Sequence, residues 1–481
     1  MSLKNQCQLI TYPDSLGKNL QELHYNLKRH FSKVVGGVHI LPFYPSSADR
    51  GFAPLRYDEV EARFGTWEDV EKIGEDFDLM VDFMVNHISR QSDYFKDFVE
   101  KGENSEYADM FLSLKKFSPD GEIPEEDLKK IYTRKPRPPY LEVQRADGSK
   151  EKVWCTFDYE QIDLDINSPV ARDVIRNFLI FLARRKSKVV RMDAFAYVTK
   201  KLGTNCFFLE PETWDILEWL NRYIEPFGAE ILPEIHEHYS IQQKIAEKGY
   251  RVYDFALPML ALQGLYDADN KNLKNWLAIC PRKQVTTLDT HDGIGVVDVA
   301  GLMTQEEVDR TMENMYTKGA NLNKRYSTQE YQVLDIYQIN CTYYSALGDN
   351  DEAYLTARTI QMFTPGIPQI YYVGLLAGKN DIELVEKTKA GRDINRHSYD
   401  LDEIEEEVKK PVVKRLLKLM EFRNNCKAFD GELEILESED HVLNLKWQKD
   451  DFYATAVIDL KNHKSQIEYN DQNGEVVKLN P

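Results

Sequence analysis

Val189-Val190-Arg191-Met192-Asp193 has the pattern of a buried β-strand that ends on charged residues. Arg191 and Asp193 stand two apart, so on an extended strand their side chains point to the same side. A guanidinium beside a carboxyl group favours the ionised carboxylate. At the open end of a barrel strand such a carboxylate can act as a nucleophile, whereas elsewhere the same pair would be a structural ion pair. The fold around this stretch decides between the two.

Seven further apolar or β-branched runs are similar, and helical stretches separate several of them. The eight predicted strands are Gln8–Tyr12, Gly37–Tyr44, Leu79–His87, Lys188–Tyr197, Glu230–His236, Val252–Pro258, Val285–Asp292 and Pro368–Gly374. The predicted helices include Ser168–Arg185, Pro211–Tyr223 and Asp351–Phe363. Alternation of strands and helices favours a parallel sheet, and eight repeats favour an α/β fold of the (β/α)8 TIM barrel type. A doubly wound open sheet is the alternative, although no GxGxxG motif follows the first strand.

Two connections are too long to be simple crossovers and predict two inserted subdomains at the carboxyl face of the barrel. From Gly431 onward, alternating apolar and polar runs predict a small C-terminal antiparallel β domain. The predicted boundaries are residues 1–86, 168–291 and 350–429 for the catalytic barrel, 87–167 for the inserted subdomain B, 292–349 for the second inserted subdomain, and 430–481 for the C-terminal β domain.

The composition excludes several classes of protein. With 481 residues, 42% of them apolar and 29% charged, the chain can bury a large globular core. A net charge of -19 repels phosphate backbones, so we expect no nucleic-acid partner. The start of the chain lacks a signal-peptide core, and its apolar runs are too short to span a bilayer. Together with six scattered cysteines, this predicts a cytoplasmic protein with reduced thiols, no membrane partner and no structural zinc site.

Three predicted strands end on or beside carboxylates. Asp193 ends the fourth, Glu234 follows Ile231-Leu232-Pro233 on the fifth, and Asp292 ends the seventh. Barrel enzymes place their catalytic groups at these carboxyl ends. Histidines accompany the same strand ends, at His87, His236 and His291. This grouping is harder to explain by core packing than a single histidine or carboxylate would be.

Two carboxylates that face one bond suit glycoside chemistry, in which one attacks the anomeric carbon and the other protonates the leaving oxygen. The nucleophile needs a low pKa and the acid a raised one. Arg191 favours Asp193 as the ionised nucleophile, and Glu234, which follows apolar residues, is the better acid/base. Asp292 would then hold sugar hydroxyls and stabilise positive charge. A metal hydrolase is a competing interpretation of such a cluster. The HExxH motif is absent, but His236 and His238 supply two imidazoles, so a bound metal stays an alternative.

Four segments resemble the signature regions of the alpha-amylase superfamily: Asp82-Phe83-Met84-Val85-Asn86-His87, Arg191-Met192-Asp193-Ala194, Glu234-Ile235-His236 and Thr290-His291-Asp292. Five others are similar to the sucrose phosphorylase branch of that superfamily: Leu9 to Gly17, Gly36 to Pro42, Asp49 to Pro54, Leu288 to Gly295 and Gly391 to His397. The resemblance covers most of the chain and is specific up to about Phe429.

The resemblance implies a role for each candidate residue. Asp193 would be the nucleophile that forms a β-glucosyl-enzyme, Glu234 the acid/base and Asp292 the transition-state stabiliser. The residues implied to frame the bound glucosyl ring are Asp49, Phe52, His87, Arg191, His291 and Arg396, and those implied to line the pocket are Phe157, Gln161 and Tyr197. The implied acceptor side is formed by His236 and by Asp335, Ile336, Tyr337 and Gln338, in a loop that in the family exchanges fructose recognition for phosphate recognition.

The implied activity is reversible phosphorolysis of sucrose to α-D-glucose 1-phosphate and fructose, by two displacements with net retention. The expected partners are sucrose and inorganic phosphate, with no cofactor and no metal, in a monomer or homodimer. Phosphate needs charge balance in an acidic protein. The nearest basic cluster is Arg134, Lys135 and Arg137, although it is equally compatible with a solvated loop.

Three alternatives stay open. A phosphorylase of sucrose 6'-phosphate is supported by Ile339-Asn340-Cys341-Thr342 and opposed by Tyr337, where that group tends to carry a histidine. An α-glucoside hydrolase is the second, because water and phosphate compete for the same intermediate. A non-catalytic sugar-binding relative is the third, and it would require the loss of a carboxylate.

Overall fold

The computed structural model of the chain describes residues 3–133, 137–320 and 338–481. These residues form two compact units. The first unit is Ile40–Ile235, and the second combines Leu3–His39 with His236–Pro481. The strands of the central sheet are shared between the two units, and the predicted boundaries of barrel and subdomains stay a prediction.

Eight parallel strands form the sheet of a (β/α)8 barrel, as predicted. Their bounds are β1 (Gln8–Thr11), β2 (Gly37–Ile40), β3 (Asp78–Met84), β4 (Ser187–Asp193), β5 (Glu230–Pro233), β6 (Val252–Asp254), β7 (Gln284–Thr286) and β8 (Ile367–Tyr371). The order in the sheet is β6-β7-β8-β1-β2-β3-β4-β5, so each strand lies beside its neighbours in the chain. This cyclic order distinguishes a barrel from a doubly wound sheet.

Each strand ends before the predicted residue. The chain leaves the sheet early, yet the residues that follow, such as Tyr12, Leu41, Val85 and Leu288, stay buried. Continuous apolar patterning therefore extends past the last hydrogen bond of the strand, because parallel strands are covered on both faces. The prediction that the third strand ends at His87 is wrong: β3 ends at Met84, and His87 begins a separate short strand, His87–Ser89.

Helices cover the sheet and fill the insertions. Their bounds are Leu20–Asn26, Trp67–Asp76, Asp93–Lys101, Glu125–Leu128, Pro169–Arg184, Glu212–Ile224, Ser240–Glu247, Leu257–Asp267, Lys271–Ile279, Gln305–Thr317, Tyr343–Ala346, Asp351–Phe363, Tyr372–Leu375, Ile382–Thr388, Leu401–Glu407 and Pro411–Asn425. The three helices predicted above are confirmed to within one residue at each end. Ser168 caps one of them by accepting a hydrogen bond from the Ala171 N–H, with Pro169 in the first turn.

The segment after β3 forms a small structure of its own. His87–Ser89 pairs antiparallel with Gln161–Asp163, and His87 lies opposite Asp163. A hairpin joins Tyr140–Gln144 and Lys150–Trp154. An apolar cluster joins Leu112, Leu114, Ile123, Ile131 and Trp154 of this segment to Cys206, which follows β4. In the second long connection, Ile294–Gly295 pairs with Gln338–Ile339.

The C-terminal region is a five-stranded antiparallel sheet, as predicted. Its strands are Glu432–Leu436, Val442–Lys449, Phe452–Asp459, Lys464–Asn470 and Val476–Leu479. Trp447 Nε1 donates to the Phe363 carbonyl at 2.9 Å, and the rings of Trp447 and Phe429 lie 5.7 Å apart. The sheet therefore packs against the end of the helix Asp351–Phe363.

All six cysteines lie within the described ranges, where they are buried and free of disulfides. Burial raises the pKa of the Cys7, Cys155, Cys280 and Cys341 thiols to about 12. In the part of the chain that the structure describes, no helix combines the length and the apolar character needed to cross a bilayer.

Candidate active site

Arg191 contacts two carboxylates at the carboxyl end of β4. Its Nη1 lies 2.5 Å from Asp82 Oδ1 and 2.9 Å from Asp193 Oδ1. The parallel register of β3 and β4 places Asp82 beside Arg191. Asp82 is fully buried, whereas the Asp193 side chain keeps 15% of its surface exposed. The predicted pair of Arg191 and Asp193 is therefore present, and Asp82 joins it from the next strand.

Glu234 follows β5 and is held by backbone. Its Oε2 accepts the Ala194 N–H at 3.0 Å, and its Oε1 lies 3.9 Å from Arg191 Nη2. Ala194 has φ 52° and ψ 31°, in the left-handed region. That conformation costs a residue with a Cβ about 1–2 kcal/mol. The strained turn at Ala194 ends β4 directly after Asp193 and directs the Ala194 N–H at Glu234. Strained backbone of this kind is found often at functional sites.

Burial raises the pKa of Asp193 to about 8; Arg191 lowers this pKa, and Glu234 and Asp82 raise it. The expectation that Arg191 keeps the Asp193 pKa low is wrong, because burial outweighs the guanidinium. The raised pKa of Asp193 means that this buried cluster holds a proton at neutral pH. Arg191 lies 2.9 Å from Asp193 but 3.9 Å from Glu234, so the guanidinium favours the anionic form of Asp193 more strongly than that of Glu234.

His87, Gln161 and Phe52 form a hydrogen-bonded cluster in the same unit. The Phe52 carbonyl accepts from Gln161 Nε2 at 2.9 Å and lies 2.9 Å from His87 Nε2. Gln161 Nε2 is 3.2 Å from the same imidazole nitrogen. Burial lowers the pKa of His87, which keeps the ring neutral near pH 7. A neutral imidazole and an amide can bind sugar hydroxyls as donors and acceptors.

Aromatic rings extend this cluster. The Phe157 ring lies 5.7 Å from His87 and 5.0 Å from Tyr197, both edge to face. Arg191 Cζ is 5.8 Å from the centre of the Phe52 ring. The structure thus brings together the predicted pocket residues of this unit, with one exception: Asp49 is exposed in the turn Asp49–Gly51, and its role stays a prediction.

Asp292 belongs to the second unit, where basic side chains lie close to it. Arg392 Nη1 lies 3.3 Å from Asp292 Oδ1, and His291 Nε2 lies 3.5 Å from Oδ2. Burial alone would raise the Asp292 pKa, but His291, Arg392 and Arg396 hold this pKa well below its usual range. Asp292 is therefore a carboxylate at any pH near neutrality. Sequence reasoning missed Arg392, although it lies in the quoted segment Gly391 to His397.

Arg396 and Asn395 hold the backbone that follows β7. Arg396 donates to the His291 carbonyl from Nε at 3.1 Å and from Nη2 at 3.0 Å. Asn395 Nδ2 donates to the carbonyls of Thr290 at 3.2 Å and Asp292 at 3.1 Å. These contacts fix the loop that carries His291 and Asp292. The predicted sugar-binding residue Arg396 thus also acts on this backbone.

The predicted acceptor and phosphate residues are only partly described. His236 Nδ1 lies 3.2 Å from Asp298 Oδ2, and its ring stacks 3.9 Å from Phe255. Gln338 Oε1 accepts the Gly293 N–H at 3.3 Å, next to Asp292. Arg137 donates to the carbonyls of Phe157 at 2.5 Å and Cys155 at 3.4 Å. The remaining predicted residues, Arg134, Lys135, Asp335, Ile336 and Tyr337, lie outside the described residues.

Comparison with known proteins agrees with this geometry. Residues 33–251 match the family model of the alpha-amylase catalytic domain. A sucrose phosphorylase of Streptococcus mutans is 54% identical over 98% of this chain and 99% of its own length. A glucosylglycerol phosphorylase of Marinobacter adhaerens is 47% identical, with 98% of both chains covered.

A solved structure is similar over the whole chain. It is the crystal structure of a sucrose 6F-phosphate phosphorylase from Thermoanaerobacter thermosaccharolyticum, with a TM-score of 0.95 and 49% identity over 100% of this chain and 99% of the relative. We conclude from the barrel, from the carboxylates at its strand ends and from this full-length similarity that the chain belongs to the alpha-amylase superfamily and, within it, to the family of the sucrose phosphorylases.

Proposed function

We propose that this protein is a sucrose phosphorylase that forms a covalent glucosyl-enzyme on Asp193. The observation that carries the proposal is the buried cluster in which Arg191 contacts Asp193 at 2.9 Å while Glu234 lies within 3.9 Å of the same guanidinium. Such a cluster places two carboxyl groups, one to attack and one to transfer a proton, beside a guanidinium that favours the anionic form of Asp193. The 54% identity to the Streptococcus mutans enzyme supports sucrose as the glucosyl donor.

In the first displacement, an Asp193 oxygen attacks the anomeric carbon of the glucosyl unit. The bond from that carbon to the fructose oxygen breaks, and the proton on Glu234 passes to this oxygen as fructose leaves. In the second, an oxygen of hydrogen phosphate attacks the same carbon and releases Asp193. The phosphate proton returns to Glu234, so the product is α-D-glucose 1-phosphate, with retention after two inversions.

The other candidate residues are proposed to bind the sugar and to balance its charge. Asp292 stays anionic, so it can accept hydrogen bonds from sugar hydroxyls and stabilise the oxocarbenium-like transition state. His87 and Gln161 supply neutral hydrogen-bonding groups, and Phe157 and Tyr197 supply aromatic faces. The further residues proposed to bind the substrate are Asp49, Phe52, His291, Arg396, His236, Asp335, Ile336, Tyr337 and Gln338.

Phosphate requires cations because the chain carries a net charge of -19. Arg134, Lys135 and Arg137 are the proposed source. Arg137 already donates to two backbone carbonyls, but a guanidinium has five N–H donors and can bind an anion with those that remain.

Phosphorolysis of sucrose 6'-phosphate is the second candidate. The relative with the TM-score of 0.95 is a sucrose 6F-phosphate phosphorylase, which favours it specifically. That donor carries a dianionic group on its fructose side, so it needs more positive charge there than sucrose does. In the sequence, Tyr337 stands where that group tends to carry a histidine, and a tyrosine supplies no positive charge.

The test is to incubate the purified protein with sucrose, with and without inorganic phosphate, and to measure glucose 1-phosphate. We expect product only when both are present. Product from sucrose 6'-phosphate but not from sucrose would replace the first proposal by the second. Equal glucose release without phosphate would indicate a hydrolase.

We also propose that the enzyme acts in the cytoplasm as a monomer or homodimer. Six buried, free thiols fit a reducing compartment. Light scattering of the purified protein measures the oligomeric state, and a tetramer would contradict this part of the proposal.

A further inference from the structure

Lys200 is a buried cation that no step of the proposed mechanism uses. Its side chain is 1% exposed. The ammonium donates to Asn86 Oδ1 at 2.5 Å and to the Tyr197 carbonyl, and it lies 2.6 Å from Asp163 Oδ2. An ammonium has three N–H donors, so three oxygen acceptors satisfy it completely.

Asp163, the anionic partner, is satisfied as well. Its Oδ1 accepts the Thr156 N–H at 2.9 Å, and its Oδ2 accepts the Thr156 hydroxyl at 2.5 Å. Trp154 Nε1 donates to that hydroxyl at 3.2 Å. A buried ion pair of this kind gives little net stability compared with apolar residues, but its geometry is specific. Such a pair can orient the segments that supply its partners.

The three acceptors of Lys200 come from three segments, and each segment carries a residue of the sugar pocket. Asn86 precedes His87, Asp163 lies two residues after Gln161 and opposite His87 in the strand pair, and Tyr197 itself lines the pocket. We propose that Lys200 is a positioning residue for the glucosyl donor: it holds the segments of His87, Gln161 and Tyr197 in one arrangement and keeps the His87 ring neutral. This inference rests on the proposed function.

The charges around His87 support the proposed effect of Lys200 on the protonation state of this ring. Burial lowers the His87 pKa most; Asp163 and Asp49 raise this pKa, and Lys200 lowers it. The uncharged neighbours of the ring are Gln161, Asn86, the Phe52 carbonyl and the Phe157 ring. Removal of the ammonium would leave the Asp163 carboxylate unopposed. We therefore expect the loss of Lys200 to raise the His87 pKa. Loss of both the Lys200 and the Asp163 charge should return this pKa towards its wild-type value.

The experiment compares Lys200→Met with Lys201→Met, a matched control whose lysine is 64% exposed and pairs with Glu212 at the surface. Steady-state kinetics give KM for sucrose and for phosphate, and NMR of 13C-labelled histidine gives the His87 titration, assigned with His87→Gln. For Lys200→Met we expect a rise of about tenfold or more in KM for sucrose and an upward shift of the His87 titration. Lys201→Met should change neither.

A merely structural lysine would lower kcat through loss of folded enzyme and leave both readouts unchanged. Folded Lys200→Met with an unchanged KM for sucrose and an unchanged His87 titration would overturn the proposal. If Lys200→Met does not fold, Lys200→Met/Asp163→Asn, which buries no charge, is measured instead, and an unchanged KM for sucrose overturns the proposal there. A wild-type enzyme inactive on sucrose would refute the proposed function, whereas the His87 titration would still test Lys200.

Discussion

At the carboxyl end of β4, one guanidinium faces three carboxyl groups. Arg191 lies 2.5 Å from Asp82, 2.9 Å from Asp193 and 3.9 Å from Glu234. A single positive charge cannot neutralise three buried negative ones, so the cluster retains a proton. For a retaining transferase this is useful, because one carboxyl must attack as an anion while another donates a proton.

Asp193→Asn tests the nucleophile and separates loss of chemistry from loss of fold. We expect turnover of sucrose to fall by about four orders of magnitude, since no covalent intermediate can form. The folded-state pKa of about 8 lies above the ordinary value of 3.8, so ionisation of Asp193 costs stability as pH rises between these values. The variant should therefore melt about 2 °C or more higher at pH 7, with a smaller gain near pH 4.

Asp173→Asn is the matched control for this variant. Asp173 is 62% exposed on the helix Pro169–Arg184 and pairs with Arg176. It should leave both turnover and the melting temperature as in the wild type. Full activity of Asp193→Asn would remove Asp193 from the mechanism.

The pH profile tests the shared proton. The value of kcat/KM for sucrose, which reports only the glucosylation step, should fall as pH rises through about 8, where the pair loses its proton. Asp82 raises the Asp193 pKa and also engages Arg191. In Asp82→Asn we therefore expect the alkaline limb to move down by about one pH unit. A limb that stays in place or moves upward would contradict this.

Sequence reasoning found the candidate residues at strand ends. It missed the residues that contact the site from distant parts of the sequence. Asp193 and Glu234 could be predicted because an apolar run stops at each of them, and Asp292 because it ends the segment predicted as the seventh strand. Asp82 is 109 residues from Arg191, and only the register of β3 and β4 joins them. Arg392 and Lys200 were missed for the same reason, since a basic residue outside the strands and α-helices has no local pattern that marks it.

At the scale of elements, β4 shows how a strand end becomes a site. The left-handed Ala194 terminates the strand one residue after Asp193, and its N–H then reaches Glu234 beyond β5. Strand centres were predictable from apolar runs, but this turn was not, because alanine has no preference for φ above zero. The predicted strands were too long for a different reason, because buried apolar residues continue past the last hydrogen bond of each strand.

The C-terminal sheet offers a prediction about packing. Trp447 is 5% exposed and donates to the end of the helix Asp351–Phe363. Trp447→Ala should destabilise the protein by about 3–5 kcal/mol, because a large buried ring leaves a cavity. Val457→Ala, on the same sheet but 43% exposed, should cost little. Thermal unfolding measures both, and equal melting temperatures for the two variants would contradict the packing described.

At the scale of the whole molecule, the charge opposes one of the proposed substrates. A net charge of -19 repels hydrogen phosphate at long range, whereas sucrose is neutral. The cations proposed for phosphate act only at short range. The net negative charge therefore governs the encounter with phosphate, whereas the local cations govern its final binding.

This difference predicts the effect of salt. Between about 0.01 and 0.15 M sodium chloride, kcat/KM for phosphate should rise, because screening weakens the long-range repulsion more than the close contacts. For sucrose, kcat/KM should not change, which controls for effects on the enzyme itself. A decrease for phosphate in stopped-flow or steady-state measurements would show that the local basic cluster dominates encounter as well.

The six buried cysteines have a practical consequence. Burial raises the pKa of Cys7, Cys155, Cys280 and Cys341 to about 12, so these four carry almost no thiolate near neutral pH. All six thiols are also shielded by burial, so maleimides and oxidants should react with them slowly. A single cysteine placed on the exposed face of the C-terminal sheet, for example at Val457, would then be the preferred point of attachment. The enzyme could be coupled there to a fluorophore or a solid support in one orientation, with all six native cysteines retained.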